Sequence, residues 1–395
     1  MKIQRTLPPV AAPIGGKDLL NGLEGLFAGD KEFVRFEEEL RDSYNVKHVY
    51  PVSSGKAALY LILEALKTLH PDRREVVIPA YTCFSVPSAI EKAGLKISPC
   101  DVDPETLDFK HSDLKVSINE NTLCVVATHM FGIPSEMDST VGICSKMGVV
   151  VVEDAAQAMG GIYKGRRLGT IGDAGFFSFG RGKNVTCGSG GVLLTNSDVI
   201  AAAIRGLYAK LARPSLVEEF VGFLQLIVQT LFLRPSLYWF PSGIPSLKLG
   251  ETIFYKDFPV KKLSGMKAGV LKRWHTRLTD SNRVRRENAG QFKSRLGPKF
   301  CCIHKQEVPV LRLPVLVVNQ KARDEIYRLS MRNGLGLSKM YPSPVNEIEE
   351  IKEKMEKKSF PGAKSICERL VNIPVHEFLL DRDKDEICRM LAECA

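Results

Sequence analysis

The sequence predicts an α/β fold: a large domain with a mostly parallel central sheet flanked by helices, followed by a smaller C-terminal α+β domain. Three observations carry this. From residue 48 onward, short apolar, β-branched runs alternate with longer helical patterns, as strands buried on both faces and their crossover helices require. Around Leu263 the alternation gives way to a long polar-faced helical pattern. The length, 395 residues at 44 % hydrophobic and 25 % charged, exceeds what one core usually spans and excludes disordered and collagen-like chains.

Taken in order, the strands are expected at 48–52, 75–79, 96–100, 122–128, 149–153, 175–179 and 191–195, with helices at 55–68, 85–93 and 136–146. Residues 1–204 then make the large domain. After the change of pattern, a helix is expected over 266–296, a strand over 307–318, and helices over 322–333, 363–370 and 381–394, the last with Asp381 as its N-cap. Residues 263–395 form the small domain. No repeat of 20 to 50 residues and no low-complexity tract occurs, which argues against solenoids and propellers.

Between the two lies an atypical basic, apolar insertion, 205–262. Its core, LVEEFVGFLQLIVQTLFL at 216–233, spaces Glu218, Gly222, Gln225 and Gln229 as a narrow polar stripe on an otherwise apolar helix. Interrupted by Gln, it falls short of the about 20 apolar residues of a membrane span. Arg234-Pro235 ends it, and Trp239, Phe240, Phe254, Tyr255 and Phe258 follow. The chain holds 55 Lys+Arg against 45 Asp+Glu, a net +10. Residues 204–273 hold eleven Lys/Arg against four Asp/Glu, an excess of seven, so most of the net charge sits here. Two readings of 216–258 stand side by side: a buried helix covering a dimer interface or the neighbouring core, and a peripheral membrane element for which interfacial aromatics and positive charge suit anionic lipid. Nucleic acid is not an expected partner, because the basic residues alternate with long apolar runs.

The opening MKIQRTLPPVAAPIGGKDLL lacks the apolar stretch of about 7–15 residues of a secretory signal, and the ten cysteines show no CxxC or His-partnered spacing. A cytoplasmic chain with reduced thiols and no zinc is expected, with Cys301-Cys302 read as buried filler. No HExxH or GxxxxGK[ST] occurs, and KEKMEKK at 352–358 reads as a solvated helix face.

The chemistry concentrates in VVVEDAAQAMGGIYKGRRLGTIGDAGFFSFGRGKNVTCGSGGVLLTN, residues 150–196. Asp154 follows a buried strand, Gln157 lies three residues on, and Ser178 precedes Lys183 by five. The carboxyl edge of a parallel sheet is where open α/β folds bind ligands. A carboxylate, a hydroxyl and a lysine there suit a pyridine cofactor with a phosphate handle. Pyridoxal phosphate asks for a Schiff-base lysine, a carboxylate for the ring nitrogen, a phosphate cup and a ring-stacking side chain. Lys183 lies among glycines that permit close backbone approach, and Ser53-Ser54-Gly55-Lys56 reads as strand, turn and helix start, where free amides bind phosphate.

These residues resemble the DegT/DnrJ/StrS family of pyridoxal-phosphate-dependent sugar aminotransferases: an acidic segment, here Glu153 to Ala158, then Gly172 to Phe179, then Lys183-Asn184. Further matches are Ser54-Gly55, Pro79-Ala80-Tyr81-Thr82, His129 to Asp138, Tyr341-Pro342 and Asn372-Ile373-Pro374-Val375-His376. The resemblance implies a fold-type-I homodimer with active sites at its interface, moving an amino group from glutamate to a keto sugar on a nucleotide, with pyridoxamine phosphate as the intermediate form of the cofactor. It implies catalytic roles for Lys183, the Schiff-base and proton-shuttling lysine, and for Asp154 on the pyridinium nitrogen. Gln157 would contact the ring hydroxyl, and Ser178, Ser54, Gly55 and the Lys56 amide the phosphate.

Three positions depart from the pattern. Lys56 stands where Thr is usual, Ser189 replaces a common Glu, and Cys83 occupies the place of the stacking aromatic, with Tyr81 and Phe84 as alternative stacking residues. His129 is open between a cofactor contact and a satisfied strand-end histidine. The departures also keep two other readings in view: a relative acting on another carbonyl compound, and a non-catalytic regulator or scaffold that has kept the fold.

Overall fold

The computed structural model describes residues 5–247, 249–250, 252–296, 301–302 and 308–394. Seven strands form the central sheet in the spatial order His48–Val52, Gly191–Thr195, Ala174–Ser178, Val150–Asp154, Thr122–Thr128, Glu75–Pro79, Lys96–Cys100. Only Gly191–Thr195 runs against the others: it pairs antiparallel with both neighbours, while the remaining pairings are parallel. The strand Thr122–Thr128 is buried at every residue, as a strand covered on both faces must be.

Side-chain alternation divides the interior into two cores, one per sheet face. Val76, Ile78, Val126 and Val152 enter one; Val77, Val125, Ala127 and Val151 enter the other. The helix Gly55–Leu69 is buried along Ala57, Ala58, Leu59, Leu61, Ile62 and Leu63, and Ser54 caps it by accepting from the Ala57 amide at 3.1 Å.

Several elements differ from the sequence reading. Two N-terminal helices, Gly16–Phe27 and Gly29–Tyr44, precede the first strand. They pack against the segment expected to begin one continuous helix over 266–296, which instead forms a helix Gly265–Val270, a 3-10 turn Leu271–Arg273 and a helix Trp274–Arg295. Close backbone approach explains the glycines: a Cβ on Gly265 would lie 2.3 Å from the Gly29 Cα. Met266, Val270, Leu271 and Trp274 consequently belong to the core under the large sheet, whereas Phe292 near the end of the run joins the other core.

A second sheet holds Cys301–Cys302, Leu313–Leu316 and Leu370–Ile373, all antiparallel. The strand expected over 307–318 is shorter, because the Leu311 amide donates to the Phe131 carbonyl at 2.7 Å and ties the chain there to a loop of the large sheet. Residues 303–307, and the expected burial of the Cys301-Cys302 side chains, lie outside what is described. The C-terminal helix Asp381–Glu393 has Leu380 at its N-cap, and Asp383, not Asp381, accepts the Leu380 amide at 2.8 Å. In KEKMEKK only Lys352–Lys354 is helical, as one 3-10 turn.

The insertion helix, Leu216–Phe232, turns its apolar side outward. Phe223 and Leu226 are buried, with Gly222 and Gln229 half-buried beside them, while Val217, Phe220, Leu224 and Val228 are 72 %, 54 %, 48 % and 54 % exposed. Ser215 and Glu218 close a capping box at its start. Among the described residues no helix is long and apolar enough to cross a membrane.

Candidate active site

Strand ends and tight turns bring the chemistry together. Val150–Asp154 delivers Asp154, 6 % exposed, and the Ala156 amide donates to its Oδ1 at 3.0 Å. The adjacent strand ends on Ser178, and Gly182, in the left-handed region at φ +72°, turns the chain so that Lys183 follows. Gly191 lets the antiparallel strand lie against the Ser54 turn, since a Cβ there would sit 2.4 Å from the Ser54 carbonyl carbon. Arg285, fully buried on Trp274–Arg295, donates to the carbonyls of Ala11, Asn184 and Lys183 at 2.8, 3.2 and 3.4 Å and so fixes the lysine's backbone. No motif signalled Arg285; its burial is a tertiary fact.

All eight residues singled out from the sequence, Ser54, Gly55, Lys56, Cys83, Asp154, Gln157, Ser178 and Lys183, line one cavity of about 140 Å³. Ser85 and Ala156 line it too and were missed: Ser85 faces the Cys83 thiol, Oγ to Sγ 2.9 Å, and Ala156 lies inside the acidic motif. The ring-stacking alternatives do not reach the cavity wall. Tyr81 and Phe84 pack on Tyr341, with centroids 5.5 and 6.5 Å away. The Lys56 amine leaves the helix start for the rings of Tyr255 and Phe258, 4.7 and 4.8 Å from their centroids. Ser189 accepts from Lys267 at 2.6 Å.

His129 is satisfied on both nitrogens: Nδ1 accepts from the Ser135 amide at 3.1 Å, so Nε2 carries the proton toward Glu153, 2.9 Å away. Glu153 also accepts from the Gly169, Ile171 and Gly172 amides and serves as a buried structural anchor. Neither residue lines the cavity.

Burial dominates the electrostatics. It raises the Asp154 carboxyl, against which the Lys183 charge and the Ala156 amide work. It lowers the Lys183 amine, opposed by Cys83 and Asp154 and reinforced by Arg312. Lys183 as a residue is half-buried.

The cavity fits pyridoxal phosphate on two observations. A Cβ on Gly55 would come within 3.0 Å of the Ser178 Cβ, so glycine keeps open a cradle beside the Ser178 hydroxyl and the free first-turn amides. Gln157 donates to the Tyr341 hydroxyl at 3.0 Å, while its buried Oε1 has no partner among the described residues and awaits a donor such as a ring hydroxyl.

The architecture is that of fold-type-I aminotransferases. Helicobacter pylori PseC, described as an aminotransferase involved in the biosynthesis of pseudoaminic acid, superimposes with a TM-score of 0.78 over 100 % of this chain and 99 % of its own, at 17 % identity. DesI, solved in the presence of its TDP-sugar product, gives 0.79 over 99 % and 93 % at 20 % identity. The chain belongs to the DegT/DnrJ/EryC1/StrS aminotransferase family, whose model matches residues 23–223 and 259–392 and passes over most of the insertion. A curated relative, GDP-perosamine synthase of Vibrio cholerae, is 35 % identical over 166 residues, 42 % of this chain and 45 % of that protein. The chain spans about half the length of the first curated relatives it matches.

Proposed function

We propose that this chain is a pyridoxal-phosphate-dependent aminotransferase that moves an amino group from an amino acid, glutamate in our reading, to a keto sugar in cell-surface polysaccharide or secondary-metabolite sugar biosynthesis. The observation that carries this is the meeting of Lys183, Asp154, Gln157 and Ser178 with the Ser54-Gly55 helix start in one small cavity. The relatives' names, with their GDP- and TDP-linked sugars, support a sugar as the acceptor.

When bound, the cofactor supplies an aldehyde for amines to condense with and a ring that takes up electrons released at the neighbouring carbon. Lys183, the amine in this cavity, would condense with that aldehyde and, once released, carry a proton on Nζ. Asp154 holds the proton on the ring nitrogen. Gln157 offers its unpaired Oε1 to the ring hydroxyl, and Ser178, Ser54 and the Gly55 and Lys56 amides hold the phosphate. Cys83 lines the wall where family members usually stack an aromatic ring.

The same reading divides the chain at 1–204, 205–262 and 263–395, makes the working unit a cytoplasmic homodimer with sites at the interface, and assigns 216–258 to peripheral membrane contact. Lys183→Ala should reduce transfer from glutamate by about 10³-fold or more and abolish the absorbance band of the lysine-linked cofactor. A variant that keeps both overturns the assignment.

A further inference from the structure

A second cavity, of about 570 Å³, adjoins the lysine loop, with Arg181 and Gly182 in its wall. The N-terminal segment around Pro8 and Val10 closes one side, and the insertion closes the other through Phe232, Leu233, Phe240, Ile244 and Leu247. Arg312 also lines it. Arg312 is 8 % exposed as a residue, and its buried Nε has no hydrogen-bond partner among the described residues. A buried cation without a counter-ion is unfavourable, and one facing a cavity is completed by an anion that enters it. Gly182 lines this cavity and the next residue, Lys183, lines the smaller one, so the two cavities are neighbours.

We propose that this chamber holds the carrier of the acceptor sugar, and that the carrier is a lipid phosphate: the phosphate on Arg312, the apolar chain along the walls built by the insertion. This rests on the aminotransferase reading for what the sugar meets at Lys183, and it adds a carrier class beyond the nucleotides in the relatives' names. The walls favour the lipid. A base and a ribose bring several polar groups that need partners, and among the described residues of the insertion only Gln229, Thr230 and Tyr238 bring polar side chains to the lining. A hydrocarbon chain loses nothing by leaving water for Phe232, Leu233, Ile244 and Leu247. The helix that forms part of the wall continues the apolar path outside, through Phe220 and Leu224. The basic excess of 204–273 suits the anionic surface from which such a carrier would be drawn.

Dodecyl phosphate below its micellar concentration is the probe, and Trp239 is the reporter. Trp239 lies 5.9 Å from the Phe240 ring, and Trp274, the second of the chain's two tryptophans, is buried in the core. Saturable change in the emission of the full-length holoprotein is expected, absent in Trp239→Phe. Inorganic phosphate, GDP, TDP and the uncharged dodecyl maltoside should each bind at least about tenfold more weakly, and Arg312→Gln should weaken dodecyl phosphate by about tenfold or more. Should Arg312→Gln fail to fold, Leu233→Asp on the insertion wall should give the same loss. No saturable binding, GDP or TDP binding as tightly as dodecyl phosphate, or binding unaffected by these substitutions overturns the proposal. Glutamate added alone to the same samples, read in the cofactor's absorbance, tests the aminotransferase reading separately. A glutamate response without amphiphile binding removes only the chamber proposal; amphiphile binding without a glutamate response removes the enzyme reading.

Discussion

His376 shows how a motif residue can be a pillar rather than a reagent. It is fully buried; Nδ1 accepts from the Phe378 amide at 3.2 Å, so Nε2 donates to the Pro8 carbonyl at 2.8 Å. Burial first, with Arg285, Arg312 and Arg5 adding to it, pushes its pKa down to about 3. The unfolded chain takes the proton near 6.5 and the folded chain only near 3, so stability is lost as pH falls through that window. The slope this group adds is about 1.4 kcal/mol per pH unit. His376→Gln, which keeps a donor for Pro8, should unfold with a visibly shallower pH dependence between those limits than the wild type; identical slopes would show that His376 is not the group responsible. His129 makes the same point: its two satisfied nitrogens take it out of the chemistry.

Glycine does at the level of elements what hydroxyls and amines do at the level of residues. The strand Gly191–Thr195 runs against all its neighbours, and its first residue touches the Ser54 turn backbone to backbone. A methyl group at 191 cannot be accommodated by a side-chain rotation, because what it meets is main chain. Gly191→Ala should therefore destabilise the fold by about 2 kcal/mol or more and loosen the helix start proposed to hold the phosphate. Thermal unfolding and cofactor titration check this together, and a variant with unchanged melting temperature and affinity would refute it. The insertion helix shows the opposite situation. Its periodicity was legible, but which side faces the protein was not, because Gly222 and Gln229, polar or small in the pattern, sit inward beside Phe223 and Leu226, while Val217, Phe220, Leu224 and Val228 sit outward.

For the whole molecule, that outward face is the outstanding feature. Phe220, Leu224 and their neighbours stand exposed beside a segment with seven excess positive charges. An interfacial helix of this kind gains from both burial and charge at an anionic bilayer. Under our reading the full-length protein should sediment with phosphatidylglycerol-containing vesicles and less so with neutral ones, and Phe220→Asp with Leu224→Asp should release it. Failure to sediment would remove the membrane assignment. Dissociation of a dimer by the same substitutions, seen in analytical ultracentrifugation, would assign the face to a second copy instead.

The sequence by itself determined the sheet, because strands buried on both faces must be continuous apolar runs, and five of the seven predicted strands, 48–52, 75–79, 96–100, 122–128 and 191–195, coincide residue for residue with observed ones. It also determined which side chains share the cavity, since the ends of neighbouring strands and the start of the next helix are brought together by the topology itself. It did not determine the N-terminal helices, the break at Leu271–Arg273 or the role of Arg285, all of which depend on contacts between residues far apart in the chain. Only the tertiary structure decided that the insertion folds over the lysine loop with the unpartnered Nε of Arg312 at its base. The burial of that Nε, and its lack of a hydrogen-bond partner among the described residues, exist only once the surrounding segments have packed.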